Sequence, residues 1–261
     1  MPNKPISILA LVLVLGSAAA WHWWPHLAPT PAPPPAVAMP PPVEAAPEMS
    51  NPLPGTTATD AKALPALTDS DAPFAAAALA LPGAADLKRF LQPESLIRRL
   101  VATIDNLPRH RLAVESRPLA ATSGSLGVTG DDQRAMLNAA NSERYAPLIA
   151  ALGAVDMHAV SELYRQYYPL FQRAYQDLGY PNGYFNDRLV AVIDHLLATP
   201  EINGPLALVR PKVFWEFADP ELESRSSGQK LLLRFGAENG AVVRKKLREL
   251  RALVAANHAN Q

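Results

Sequence analysis

No cysteine occurs anywhere in the 261 residues. Disulfides, thiolate nucleophiles and cysteine metal sites are thereby excluded, and so is a lipoprotein anchor, which needs a cysteine to acylate. Histidine spacing is equally uninformative. From residue 65 onward, His110, His158 and His195 are isolated, with no H-x-x-x-H or H-E-x-x-H pair among them, so no zinc site and no other metal or cofactor is expected there. Beyond residue 65 there is no internal repeat and no second linker, which points to one domain rather than an array. Net charge is zero as well, with 24 basic residues against 24 acidic ones. That balance hides an asymmetry: residues 225 to 251 carry eight Lys/Arg against two Glu, whereas residues 44 to 71 carry five acids against Lys62.

Basic residues are missing altogether between Lys4 and Lys62, and the gap is filled in two different ways. First comes an apolar run from Ile6 to Trp21, followed by Trp23, Trp24 and a proline. At 1.5 Å per residue, the stretch from Ile6 to Trp24 spans about 28 Å, close to a bilayer's hydrocarbon thickness. Tryptophans at its far end suit the membrane interface, and Lys4 before it places the N-terminus in the cytoplasm by the positive-inside rule. Residues 1 to 24 are therefore expected to be a single-pass inner-membrane anchor, with the membrane contacted through residues 6 to 24 and everything later in the periplasm. Cleavage after Ala18 to Ala20 as a signal peptide is the competing expectation. Second, twelve of the thirty residues from Pro25 to Pro54 are proline. Proline fixes φ and removes a donor, so residues 25 to 64 are expected to be an extended or disordered spacer rather than part of a core.

Residues 65 to 257 are expected to form a mainly α domain with minor β structure. In QPESLIRRLVATIDNLP, Leu96, Ile97, Leu100, Val101, Ile104 and Leu107 form one helical stripe, with Pro93 at a plausible first position and Pro108 at the end. Asn141 or Ser142 is the expected cap of a shorter helix through RYAPLIAAL. Asp156 then caps MHAVSELYRQYYPLFQRAYQDLG, which stops at Gly179. Its apolar face reads Val160, Leu163, Tyr164, Tyr167, Leu170, Phe171, Ala174, Tyr175 and Leu178, with Pro169 inside that face and a kink or break expected there. Tyr168 falls about 100° from Tyr167 and is expected to be exposed. The run YFNDRLVAVIDHLLAT repeats the pattern, giving a kinked aromatic helical hairpin. GPLALVRPKVFWEF is the best strand candidate, cut by Pro211 into an edge strand or two pieces.

Ser227, Gly228, Gln229 and Lys230 match S-x-x-K, but the companion S-D-N and K-T-G elements are absent, so no catalytic residue is assigned. The D-P-E-x-E run from Asp219 to Glu223 is explained by helix capping and dipole complementarity. Asp105 is different. It lies at a helix C-terminal end, where negative charge is disfavoured, so it should require a cation such as Arg109 or Arg188. A structural ion pair or a ligand site gathering Arg98, Asp105, Tyr184 and Arg188 are the two readings. On the last helix, Arg244, Lys245 and Arg248 are expected on a solvated face or on an anionic partner surface. No aromatics interleave them, and nucleic acid is not expected as a partner.

At IRRLVATIDNLPR, FNDRLVAVIDHLLATPE and FADPELESRSSGQKLLLRFG the chain resembles a bacterial domain-of-unknown-function family, number 3014, over roughly residues 65 to 255. The resemblance implies a single-span envelope protein with a proline-rich spacer, and no assigned activity or catalytic residues. Together with the anchor and spacer, the expectation is a non-enzymatic adaptor or interaction domain that binds another envelope component. The alternative is a murein-directed enzyme or glycan-binding module that uses Tyr168 and Tyr184 as stacking platforms.

Overall fold

The computed structural model describes residues 48–53, 64–111 and 114–255. The expected membrane span at residues 6–24, the spacer up to residue 47 and residues 54–63 lie outside the described residues. Among those described, nine α-helices and four short strands run in the order α1 (Asp71–Leu79), α2 (Leu96–Asn106), β1 (Val128–Gly130), β2 (Ala135–Leu137), α3 (Ala139–Glu143), α4 (Ala146–Ala154), α5 (Met157–Asp177), α6 (Phe185–Leu197), β3 (Ala207–Val209), β4 (Glu216–Phe217), α7 (Pro220–Glu223), α8 (Ser227–Arg234) and α9 (Ala237–Val254). The fold is mainly helical with a small antiparallel sheet. No single described helix is long and apolar enough to cross a membrane; α4 and α5 pass that test only together, as a pair bent by 79°.

The core is built around α5. Asp156 caps it by accepting from the His158 amide at 2.8 Å, and Gly179, at φ +114°, follows its end. Four helices, α1, α2, α6 and α9, pack on α5, so its buried arc is wider than one stripe. Phe74 of α1 meets Tyr167 and Phe171 edge-on at 5.1 and 5.6 Å, while Phe185 of α6 stacks on Phe171 at 5.7 Å. Pro169 is exposed and does not break the helix, which runs from Met157 to Asp177 with the missing donor on the solvent side. The expected exposure of Tyr168 is reversed. Tyr168 is buried, with its ring edge-on to Tyr164 and its hydroxyl donating to Gln172 Oε1 at 3.1 Å. Burial pushes the Tyr168 phenol up to about 12 and the Tyr164 phenol higher still.

Part of what covers this face comes from the stretch read as spacer. The Ser50 and Asn51 amides donate to the Asp187 carboxylate at 3.0 and 2.6 Å, and Leu53 is buried in the same apolar cluster as Tyr168. Asn186, fully buried beside Asp187, donates to the Asn51 and Val254 carbonyls, both at 2.8 Å, and accepts from the Tyr164 hydroxyl at 3.2 Å. One amide side chain thus joins the residue 48–53 segment, α5 and the end of α9. Gln172 plays a similar part inside the α5–α6 hairpin, donating to Gly183 O at 2.7 Å and accepting from Phe185 N at 2.8 Å.

Helix starts were the least legible feature. α2 begins at Leu96 rather than Pro93, after Ser95 at φ +52°, and Asp71 of α1 caps it by accepting from the Ser95 and Leu96 amides at 2.5 and 2.9 Å. Asn141 and Ser142 lie inside α3, which Asn138 caps, and the helix through RYAPLIAAL, α4, starts separately after Tyr145 without a side-chain cap and with Pro147 in its first turn. The sheet has order β1-β2-β3-β4, with Ala135, Leu208 and Phe217 turned inward onto Leu206, Leu222 and Leu233. Pro211 does divide the 204–217 run into two strands, β3 and β4.

Candidate functional site

Asp105 lies in the last full turn of α2, only 1% exposed. Its position on the apolar side of the helix, one turn after Val101, buries it, and the negative end of α2 adds to the cost of its charge. Arg188, in the first turn of α6, offsets that cost. Its Nε donates to Asp105 Oδ1 at 2.9 Å and its Nη2 to the Asp105 carbonyl at 2.7 Å. Arg109, four residues on, donates to Oδ2 at 2.7 Å and to the Tyr180 hydroxyl at 2.9 Å, and Tyr180 itself donates to Oδ2 at 3.3 Å. The hydrogen bond that Arg109 donates to Asp105, followed by the charge of that carboxylate, raises the Arg109 pKa. Tyr180 stacks on Tyr175 at 4.6 Å, which ties the network to the aromatic core. The carboxylate is saturated by its own fold, so the chemistry here is that of a pin between α2 and the α5–α6 hairpin.

The remaining nominated residues are scattered. Arg98 pairs with Asp177 at 3.9 Å, Tyr168 is buried, and Tyr184 is half-buried at the N-terminal boundary of α6. Lys245 is exposed beside Glu249 at 3.9 Å, and Arg248 faces Glu201 at 3.8 Å. Arg244 departs from the expected solvated face. It is 5% exposed, with Nη2 donating to the Pro200 carbonyl at 3.2 Å and Nε at 3.7 Å from Glu201.

The S-x-x-K residues are occupied structurally. Ser227 N and Gly228 N donate to the Arg109 and Leu107 carbonyls at 2.7 and 2.9 Å, so the start of α8 abuts the end of α2. A Cβ on Gly228 would lie 3.0 Å from Leu107 O and 2.7 Å from Leu196 Cδ2, which accounts for the glycine. Lys230 bonds Glu223 at 2.6 Å rather than Ser227. The neighbouring Ser226 caps α8 and meets His195 Nε2 at 2.8 Å.

Two features had no signal in the helical pattern. One is a cleft of about 310 Å³ between α3, the loop from Pro200 to Leu206, and the start of α9, with Arg244 in its wall. The other is the turn between β3 and β4, where Val213 and Phe214 are 77% and 79% exposed. These two residues read as part of a strand because VFWEF is branched and aromatic; the Pro211-Lys212 break is the signal that places them at a tip.

A model of a protein family of unknown function, DUF3014, matches residues 96–251, well over half of the chain. The chain belongs to this family. The DUF3014 match runs from the first residue of α2 into the last turn of α9, and so contains the Asp105 network, the cleft and the β3–β4 tip. It leaves α1 and residues 48–53 outside. No curated protein and no solved structure matches the chain. Among the described residues no group of three or more His, Asp or Glu is placed to hold a metal ion.

Proposed function

We propose that the protein is a non-enzymatic adaptor of the cell envelope. An N-terminal apolar span holds it in the inner membrane, a proline-rich spacer follows, and the helical domain binds another envelope protein outside the cytoplasm. The observation that carries this reading is the tip at Val213 and Phe214. Large apolar side chains this exposed are uncommon away from interaction surfaces when they stand side by side. The tip is held in place rather than loose: Arg210 donates from its amide to Asp132 O at 2.8 Å, pairs with the Asp132 carboxylate at 2.8 Å, and lies 5.1 Å from the Trp215 ring centre. Met136 of β2, opposite Ala207 in the same sheet, is a further exposed apolar side chain. A preformed tip loses little conformational entropy on binding.

The alternative, a murein-directed enzyme or glycan-binding module, relied on exposed tyrosines, and Tyr168 is not available for stacking. A photo-reactive residue at position 214 of the full-length chain, in intact cells, should give one reproducible protein adduct that Val213→Asp abolishes. Retention of the full-length chain on purified murein, with no protein adduct, overturns the adaptor reading in favour of the cell wall.

A further inference from the structure

Among the described residues Arg244 is the only buried basic residue, 5% exposed. A buried guanidinium normally has its donors matched, because each unmatched one forfeits hydration. Arg244 has five donors and makes one hydrogen bond, to Pro200 O; its Nε is sealed from solvent without a partner, and Glu201 stands off at 3.7 Å. Helical side chains lean towards the N-terminus, and Arg244 leans over Gly240. A Cβ there would come within 2.9 Å of Arg244 Nη1, so the glycine opens a trough for the guanidinium. The trough leads to the first turn of α9, which follows Gly236 and has no side-chain cap. Glu238, in the first turn of α9, offsets the helix field there, and Glu201 approaches the guanidinium only to 3.7 Å, so donors of Arg244 remain open to an anion from the cleft.

The cleft in front of that wall has an apolar floor from Leu137, Leu206, Leu232 and Leu233, with Ser142 and Asn203 among its polar lining. We propose that this cleft binds a small carboxylate with an apolar body, the carboxylate on Arg244 and the start of α9, the apolar part on the leucine floor. One buried cation favours a monoanion. The near approach of Glu201 shows which group the wall attracts: its carboxylate faces Arg244 and Arg248 while its side chain is 65% exposed. Glu201 acts as a loosely held stand-in that the ligand displaces. A chain terminus ending in an apolar residue and a short acyl chain share this chemistry. The site is separate from the Val213–Phe214 surface and does not depend on the adaptor reading.

Calorimetric titration of the full-length chain in detergent micelles tests the site with three water-soluble probes: N-acetyl-leucine, hexanoate and the neutral N-acetyl-leucinamide. Saturable heat is expected from the carboxylates and none from the amide, with the stronger carboxylate identifying a peptide end or an acyl chain as the source. Arg244→Met should abolish the signal. Glu201→Gln, on an exposed loop side chain, should tighten carboxylate binding about two- to fivefold by removing the competitor. Equal heat from the amide, no saturable heat from either carboxylate, or unchanged affinity in Glu201→Gln overturns the proposal.

Discussion

Asp105 and Arg244 are buried charges of opposite sign, and each lies towards the helix end whose field opposes it. Asp105, in the last turn of α2, receives hydrogen bonds from Arg109, Arg188 and Tyr180, and Arg188 also holds its carbonyl. Arg244, folded back towards the first turn of α9, donates once. The same unfavourable placement has thus been answered inside the fold in one case and left open in the other. A saturated buried charge fixes the packing of the elements that supply its partners. An unsaturated one keeps its capacity for something from outside, at a standing cost in stability.

The largest expected effect breaks the saturated member. Asp105→Ala strands Arg188, whose side chain is 29% exposed, between α2 and α6, whereas Arg109, at 53% exposed, can return to water. Removing one partner of a buried pair typically costs about 3 to 5 kcal/mol. A denaturant titration should show that loss as a lower midpoint with unchanged slope. A loss below about 1 kcal/mol, the scale of a surface pair, would mean that both arginines rehydrate and that Asp105 is no pin.

Arg244→Met should behave in the opposite way. The straight methionine side chain retains contact with the trough over Gly240 while removing a charge whose donors are mostly unmatched. Stability should change by less than about 1 kcal/mol, or rise, as when a poorly compensated buried charge gives way to an apolar side chain. A loss as large as that expected for Asp105→Ala would show that Arg244 is fully compensated, and the contrast between the two charges would collapse.

The requirement for cations around Asp105 was legible in the sequence because it follows from a local rule. An acid at a helix C-terminus needs a base, and Arg109 and Arg188 were within reach of a chain that folds as a hairpin. The burial of Arg244 was not legible, since a helical projection places it beside Lys245 and Arg248. What buries it is the absence of a side chain at Gly240 and a loop from Pro200 that returns over α9, neither of which belongs to the stripe. Tyr168 shows the same limit. The projection gives the phase of one face, but α5 is packed by four helices and residues 48–53 attach beside its partner α6, so the residue beyond the stripe is covered too. The mainly helical fold and the division at Pro211 were readable because periodicity and proline act locally. The exposed tip was not, because branched and aromatic residues signal strand whether they face a core or solvent.

The smallest expected effect sharpens the comparison from the Asp105 side, where two arginines surround one acid and leave positive charge over. His195 registers that excess: burial, then Arg188, then Arg225, lower its pKa. Its Nε2 lies 2.8 Å from Ser226 Oγ, which accepts from the Gln229 amide at 3.2 Å. The serine proton is therefore free to meet an unprotonated Nε2, so the neutral ring fits this network. Because the folded-state pKa is the lower one, the unfolded chain takes up the proton first as pH falls. The stabilisation is complete above the unfolded value of about 6.5 and declines as pH drops through it towards the folded value. The thermal midpoint should fall between pH 7.5 and 5.5, and His195→Gln should flatten that fall. Identical slopes in the two proteins would show that neither burial nor the charges of Arg188 and Arg225 hold His195 below its unfolded value.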